Sequence, residues 1–168
     1  MYDVIVVGGS YAGMAAALIL GRARRKVAVL DTGLRRNRFA EASHGLLGQD
    51  GKSPEAIAGN GKEQLLKYPT VAWIDGAAVS AEKTGESFSV QLEDGKILSS
   101  KLLILATGVR DELPDVPGLA ERWGKSVFHC PYCHGYELDQ GPLGVLACGE
   151  ISMHHALLIP EWGPTTLF

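Results

Sequence analysis

Only three cysteines occur in the 168 residues, and because Asp3-Val4-Ile5-Val6-Val7 already reads as a strand, no export signal is expected before it. Both absences argue against a structural disulfide framework and lead to the expectation of a cytoplasmic protein. The apolar run from Met14 to Leu20 is far shorter than the roughly 20 residues that cross a bilayer, so no membrane partner is expected. Neither sign of charge dominates. A net charge of -3 and a pI of about 5.9 give no drive toward nucleic acid or anionic lipid. The one basic cluster, Arg22-Ala23-Arg24-Arg25-Lys26, suits a solvated helix C-terminus, where cations complement the helix dipole.

What the chain does have is hydrophobic residues at 46%, enough for a real core, and 21 glycines, well above the usual share of roughly 7%. Such an excess fits tight turns and close approaches of backbone to ligand. The length suits one ordinary domain or parts of two.

The apolar run Asp3–Val7 has the pattern of a central parallel strand. It leads through Gly8-Gly9-Ser10-Tyr11-Ala12-Gly13 into the helix formers Met14–Leu20, and Lys26–Leu30 reads as the next strand, ending at Asp31. This is a βαβ unit whose glycine-rich turn opens the helix. Thr32–Gly51 is expected as a long loop. Ser53-Pro54-Glu55 starts a helix well, and Gly59 and Gly61 predict that it is broken or kinked before about Tyr68. Val71–Val79 reads as a strand. Phe88–Leu92, the turn Asp94-Gly95 and Lys96–Leu98 read as a small antiparallel meander. Leu102–Leu105 is expected to return as a buried strand before Ala106-Thr107-Gly108. Pro114, Pro117 and Gly118 mark a boundary. Leu143–Ala147, a helix through Ala156–Ile159 ended by Pro160, and Thr165–Phe168 predict a second βαβ beginning. Two short parallel strands and one short helix cannot bury a core, so the chain is expected to be part of a longer one.

A dinucleotide turn needs glycine for the bend, for approach to the pyrophosphate, and for packing of helix on strand. Gly8 and Gly13 fill the first and third places and Ser10 the second, while Asp31 lies where an acid would bind ribose hydroxyls. The bland alternative is an ordinary βα turn with an exposed Asp.

His129-Cys130-Pro131-Tyr132-Cys133-His134-Gly135-Tyr136-Glu137 offers several chemistries. Cys130 to His134 matches a c-type haem attachment pattern, but that chemistry belongs to exported proteins. Zinc needs four ligands, and a second pair is missing beside His129, Cys130, Cys133 and His134, so no metal is expected. A reactive dithiol fits better, with His134 as proton donor and acceptor; a reduced, buried structural pair is the remaining alternative.

In the order given, Val6–Gly13, Ala106-Thr107-Gly108 and Cys130–Glu137 resemble the low-molecular-weight thioredoxin reductase family of FAD-dependent pyridine nucleotide–disulfide oxidoreductases. The histidine-flanked branch, which includes small-molecule dithiol oxidases, is the most similar. The resemblance implies an α/β architecture: a Rossmann-like FAD-binding domain over 1–112, with a parallel sheet and an inserted antiparallel meander, then the start of a truncated Rossmann-like NAD(P)H domain over 113–168. It implies that Gly8, Ser10 and Gly13 approach the FAD pyrophosphate, Asp31 the ribose, and that Arg36, Asn37, Arg38 and Gln49 line the flavin. Thr107 and Gly108 match the second FAD contact. Cys133 matches the cysteine that faces the flavin and Cys130 the one that exchanges with substrate. His134 stands where thioredoxin reductases proper carry an acid/base Asp.

The implied activity is electron relay from NADPH or NADH through FAD to the Cys130–Cys133 pair and on to a thioredoxin-like protein or small-molecule disulfide, with a homodimer as the expected assembly. A dithiol oxidase using oxygen, or a non-catalytic partial FAD-binding module, are the alternatives. Two departures stand out. The second turn, Ala147-Cys148-Gly149-Glu150-Ile151-Ser152, keeps one glycine of the pattern, and no basic residues follow it to grip a 2′-phosphate.

Overall fold

The computed structural model describes all 168 residues, Met1 to Phe168. The chain divides into two compact units, one formed by Met1–Arg38 and Glu55–Arg110, the other by Phe39–Pro54 and Asp111–Phe168.

In the first unit, β1 (Tyr2–Val7), α1 (Tyr11–Arg22) and β2 (Val27–Asp31) form the expected βαβ element, with β1 and β2 parallel and Val6 opposite Val29. α1 buries Gly13, Met14, Ala17 and Gly21, positions that recur on one helical face. It stops where Arg24 turns left-handed (φ 58°), and Arg22 to Lys26 are all exposed, as their charge demands. α2 (Pro54–Leu66) is continuous, against the expected break. Its buried Ala58 and Leu65 join the core shared with Met14, and a Cβ at Gly61 would lie 3.1 Å from the Met14 methyl carbon. Packing of that face outweighs the weak propensity of two glycines.

The strand expected over Val71–Val79 is two: β3 (Val71–Asp75) and β4 (Ala78–Thr84), parted at Gly76, whose N–H donates to the Asp31 carbonyl at 2.9 Å. β5 (Ser87–Leu92) and β6 (Ile97–Leu105) follow, and Lys96 N–H donates to the Asp94 carboxylate in the turn between them. The six strands form one sheet in the order β3-β2-β1-β6-β5-β4. β6 pairs parallel with β1 and antiparallel with β5, so the meander extends the parallel sheet instead of standing beside it. Leu102 and Leu105 are 61% and 70% exposed, which corrects the expectation of a buried strand. α1 packs against β1 and β2, and its cover does not reach Leu102 on β6. Next to Leu102, Lys101 Nζ donates to Asp3 on β1 at 2.8 Å and holds that carboxyl below its usual range, joined by a bond from the Lys26 amide.

The second unit holds the Ser43–Lys52 bridge, α3 (Leu119–Arg122), α4 (Pro131–His134) and a 3-10 turn over Tyr136–Leu138. β7 (Leu143–Val145), α5 (Ile151–Leu158) and β8 (Thr165–Leu167) make a second βαβ element, β7 and β8 parallel. α5 starts earlier than expected, and at Pro160 the chain tightens into a 3-10 turn over Ile159–Glu161. No helix is long and apolar enough to cross a membrane.

Candidate functional site

Parallel strands β1, β2 and β6 end together, and the first turn sits at that edge. Gly8 has φ 109°, and a Cβ there would collide with the Ala106 carbonyl at the end of β6. A Cβ on Gly13 would fall on the Gly8 carbonyl oxygen, with Val6 Cγ1 only 3.2 Å away. Only glycine satisfies both places: one for a left-handed conformation, the other for a helix pressed onto its own turn. Ala106 N–H donates to the Val7 carbonyl at 2.8 Å, which brings Thr107 and Gly108, both exposed, to the same edge as Gly8.

Ser10 caps α1 in an extended conformation, yet its side chain makes no capping bond. Asp31, at the end of β2, is turned back on the loop: its carboxylate accepts from Gly9 N–H at 3.2 Å. Gly9 was not singled out in the sequence, but it is boxed in, since a Cβ there would lie 2.5 Å from the Trp73 ring and 2.6 Å from the Asp31 side chain. Asn37 Nδ2 donates to the Tyr11 hydroxyl at 3.3 Å, which ties the loop after β2 to the first residue of α1. Arg38 folds over its own loop, donating to the Arg35 carbonyl at 2.8 Å, and Arg36 is exposed. Gln49 lies in the second unit, where its side-chain oxygen accepts from Lys52 Nζ at 3.1 Å.

The second unit carries the cysteine pair. Cys130 is the extended residue before α4, Pro131 starts the helix with its fixed φ, and Cys133 follows on its third position. That geometry sets the sulfurs face to face: Cys133 Sγ donates to Cys130 Sγ at 2.8 Å. The next residue, His134, stacks on Phe128 with ring centroids 4.1 Å apart. Tyr132 meets Trp162 edge-on at 5.0 Å. Cys130 and His134 line a cavity of about 620 Å³ together with Trp123, Phe128, Cys148 and Trp162.

Burial draws the His134 imidazole below the ordinary histidine value; nearby His129 and His44 push the same way and Glu137 opposes them. His134 is therefore neutral near neutral pH. Glu137 is itself held by His44, whose Nε2 lies 3.5 Å from the carboxylate, while His44 Nδ1 is 3.7 Å from Asp50. His44 carried no local signal in the sequence, because its link to Glu137 depends on the fold.

A depressed histidine value means that, below the ordinary value, the unfolded chain binds the proton first. Stability contributed by neutral His134 is thus present above the unfolded value and is lost as pH falls through the folded one. Urea midpoints should drop between about pH 7 and about pH 5, and the drop should be smaller in His134→Gln. An equal drop in both proteins would show that His134 contributes nothing to it.

The second turn repeats the first in register. Gly8 N–H donates to the Leu30 carbonyl on β2, and Ala147 N–H donates to the Phe168 carbonyl just past β8, each at 2.9 Å. Ala147 therefore stands for Gly8, Gly149 for Ser10 and Ser152 for Gly13. Ser152 is buried, and its hydroxyl accepts from Cys148 N–H at 2.9 Å and Gly149 N–H at 3.3 Å.

Residues 2–159 match the family model described as pyridine nucleotide-disulphide oxidoreductase. The chain is 40% identical over 152 residues to thioredoxin reductase tcpT of Claviceps purpurea, covering 89% of this chain and 47% of that protein. It superposes on the crystal structure of an oxidoreductase from Agrobacterium tumefaciens with a TM-score of 0.97 at 54% identity, covering 99% of this chain and 57% of that one. The crystal structure of HlmI gives a TM-score of 0.96 at 43% identity, with 99% and 54% covered. The chain spans about half the length of the relatives it matches. With the two glycine turns, the parallel sheet and the cysteine pair in the same order along the chain, it belongs to the pyridine nucleotide-disulphide oxidoreductase family and is thioredoxin-reductase-like within it.

Proposed function

We propose that the chain is a flavin-dependent thiol–disulfide oxidoreductase in which Cys130 and Cys133 exchange two electrons with a substrate disulfide or dithiol. The observation that carries this reading is the dithiol itself, with sulfurs 2.8 Å apart and a neutral histidine next in sequence.

The family implies FAD, and the first turn fits it. A pyrophosphate needs backbone that no Cβ obstructs, and the close packing at Gly8 and Gly13 leaves room for none. Gly8, Ser10 and Gly13 would hold the pyrophosphate; Asp31 would serve the ribose, and Arg36, Asn37, Arg38, Thr107 and Gly108 would supply further contacts. Gln49 rests on the resemblance alone. In this reading residues 1–112 are the FAD-binding domain and 113–168 the start of the redox domain. Bound there, FAD supplies a two-electron donor and acceptor.

Exchange at the pair is thiol–disulfide chemistry. The Cys130 thiolate attacks one substrate sulfur, forms a mixed disulfide and expels a thiolate. The Cys133 thiolate then attacks Cys130 Sγ, expels the second substrate sulfur and closes the Cys130–Cys133 disulfide. The two protons lost by the cysteines end on the two substrate thiols, with His134 taking and returning one. In reverse, a substrate dithiol is oxidised. Candidate partners are a thioredoxin-like protein or a small-molecule disulfide or dithiol, and a homodimer is the proposed assembly.

The two directions differ in what trades electrons with the flavin: a nicotinamide nucleotide in a reductase, molecular oxygen in a dithiol oxidase. One observation favours the oxidase, namely that Ser152 already occupies the amides of the second turn. Stopped-flow spectroscopy of the FAD-loaded protein separates them. Fast flavin bleaching by a dithiol with oxygen uptake supports the oxidase, and fast bleaching by NADPH supports the reductase. A protein that shows no flavin bands after FAD is added would leave only a non-catalytic module.

A further inference from the structure

The two turns treat their backbone amides differently. In the first, the Asp31 carboxylate from β2 accepts from Gly9 N–H, but position three is Gly13, so no side chain from the third position reaches the turn. In the second, position three is Ser152, which is 4% exposed and points its hydroxyl back at the turn. That one oxygen accepts from both Cys148 N–H and Gly149 N–H, the amides at and just before the place where pyrophosphate meets backbone. Ala147, in the place of Gly8, does not adopt the positive φ that shapes the first turn. A serine oxygen thus fills the role that a phosphate oxygen would take at this turn.

We infer that Ser152 closes the second turn to a dinucleotide pyrophosphate, and so is the residue that withholds NADPH and NADH from it. A phosphate approaching these amides must first displace an internal acceptor that is already buried and bonded. Losing two such bonds without replacement leaves a buried hydroxyl unsatisfied, which weakens nucleotide binding at this turn by roughly tenfold. The consequence for electron supply rests on the flavin–dithiol reading above; the closure of the turn does not.

The test needs neither flavin nor cysteine chemistry. Backbone amide resonances of the full chain are followed by NMR during titration with NADPH and, separately, inorganic pyrophosphate. In the unaltered protein the Cys148 and Gly149 signals should stay in place. In Ser152→Gly both should move, with NADPH binding roughly tenfold tighter. Ser152→Thr, which keeps the hydroxyl, should behave as the unaltered chain. Movement of the Cys148 and Gly149 signals in the unaltered chain overturns the inference. So does a folded Ser152→Gly that gains no affinity. Should Ser152→Gly fail to fold, the unaltered chain decides alone: still amides support the closure and moving amides refute it. Flavin bleaching by dithiol is unaffected by either result, so failure here is distinguishable from failure of the proposed function.

Discussion

Replacing Cys133 with serine is expected to slow turnover on a small disulfide by about a thousandfold or more, and to trap the substrate on Cys130. The reason is geometric. The two sulfurs lie 2.8 Å apart, so in the proposed mechanism Cys133 attacks the mixed disulfide as an intramolecular nucleophile. Serine at the same place is not nucleophilic enough to resolve it, and resolution then waits for a thiol from solution. Effective molarities of roughly 10⁵ M for well-oriented groups make that loss large. Mass spectrometry of the reduced variant mixed with hydroxyethyl disulfide reads the result directly. An adduct on Cys130 that persists is the expected outcome. Rapid release of the adduct at the rate of the unaltered protein would show that Cys133 is not the resolving sulfur.

The second large effect falls on the first glycine turn, where FAD is proposed to bind. Gly13→Ala places a methyl on the Gly8 carbonyl oxygen, and neither backbone can yield without moving β1 or α1. Overpacking of this kind costs about 3 kcal/mol and distorts the edge that Gly8 and Ala106 share. A fall in Tm of about 10 °C is expected, together with loss of FAD binding. Gly59→Ala is the matched comparison. Nothing lies within 4 Å of a Cβ at Gly59, so on the interior of α2 the substitution should stabilise by about 1 kcal/mol. If Gly13→Ala is as harmless as Gly59→Ala, the turn is looser than its geometry implies.

Much of this was legible in the residues. Asp3–Val7, Gly8–Gly13 and Lys26–Asp31 declare a βαβ element, because an apolar strand, a glycine turn and an alanine-rich helix each follow from local rules. The second βαβ element around Leu143–Phe168 was equally readable. What escaped depended on distant partners. The continuity of α2 through Gly59 and Gly61 comes from packing against Met14, which local propensity does not contain. The exposure of Leu102 follows from where α1 stops covering the sheet. The bridge from His44 to Glu137 joins residues far apart in sequence, so no spacing rule could pair them. Ser152 was visible only as a missing glycine; that its hydroxyl reaches back to two amides is a fact of rotamer and burial.

A reductive titration tests most directly whether the pair and the flavin form one redox system. The FAD-loaded protein, air-oxidised, is titrated with dithionite under anaerobic conditions and flavin absorbance is followed to completion. The chain should take up about four electrons, two for the flavin and two for the Cys130–Cys133 disulfide, and Cys133→Ser should take up about two. Uptake of about two electrons by the unaltered, FAD-loaded protein would mean that the cysteines do not share electrons with the flavin, contradicting the proposed function.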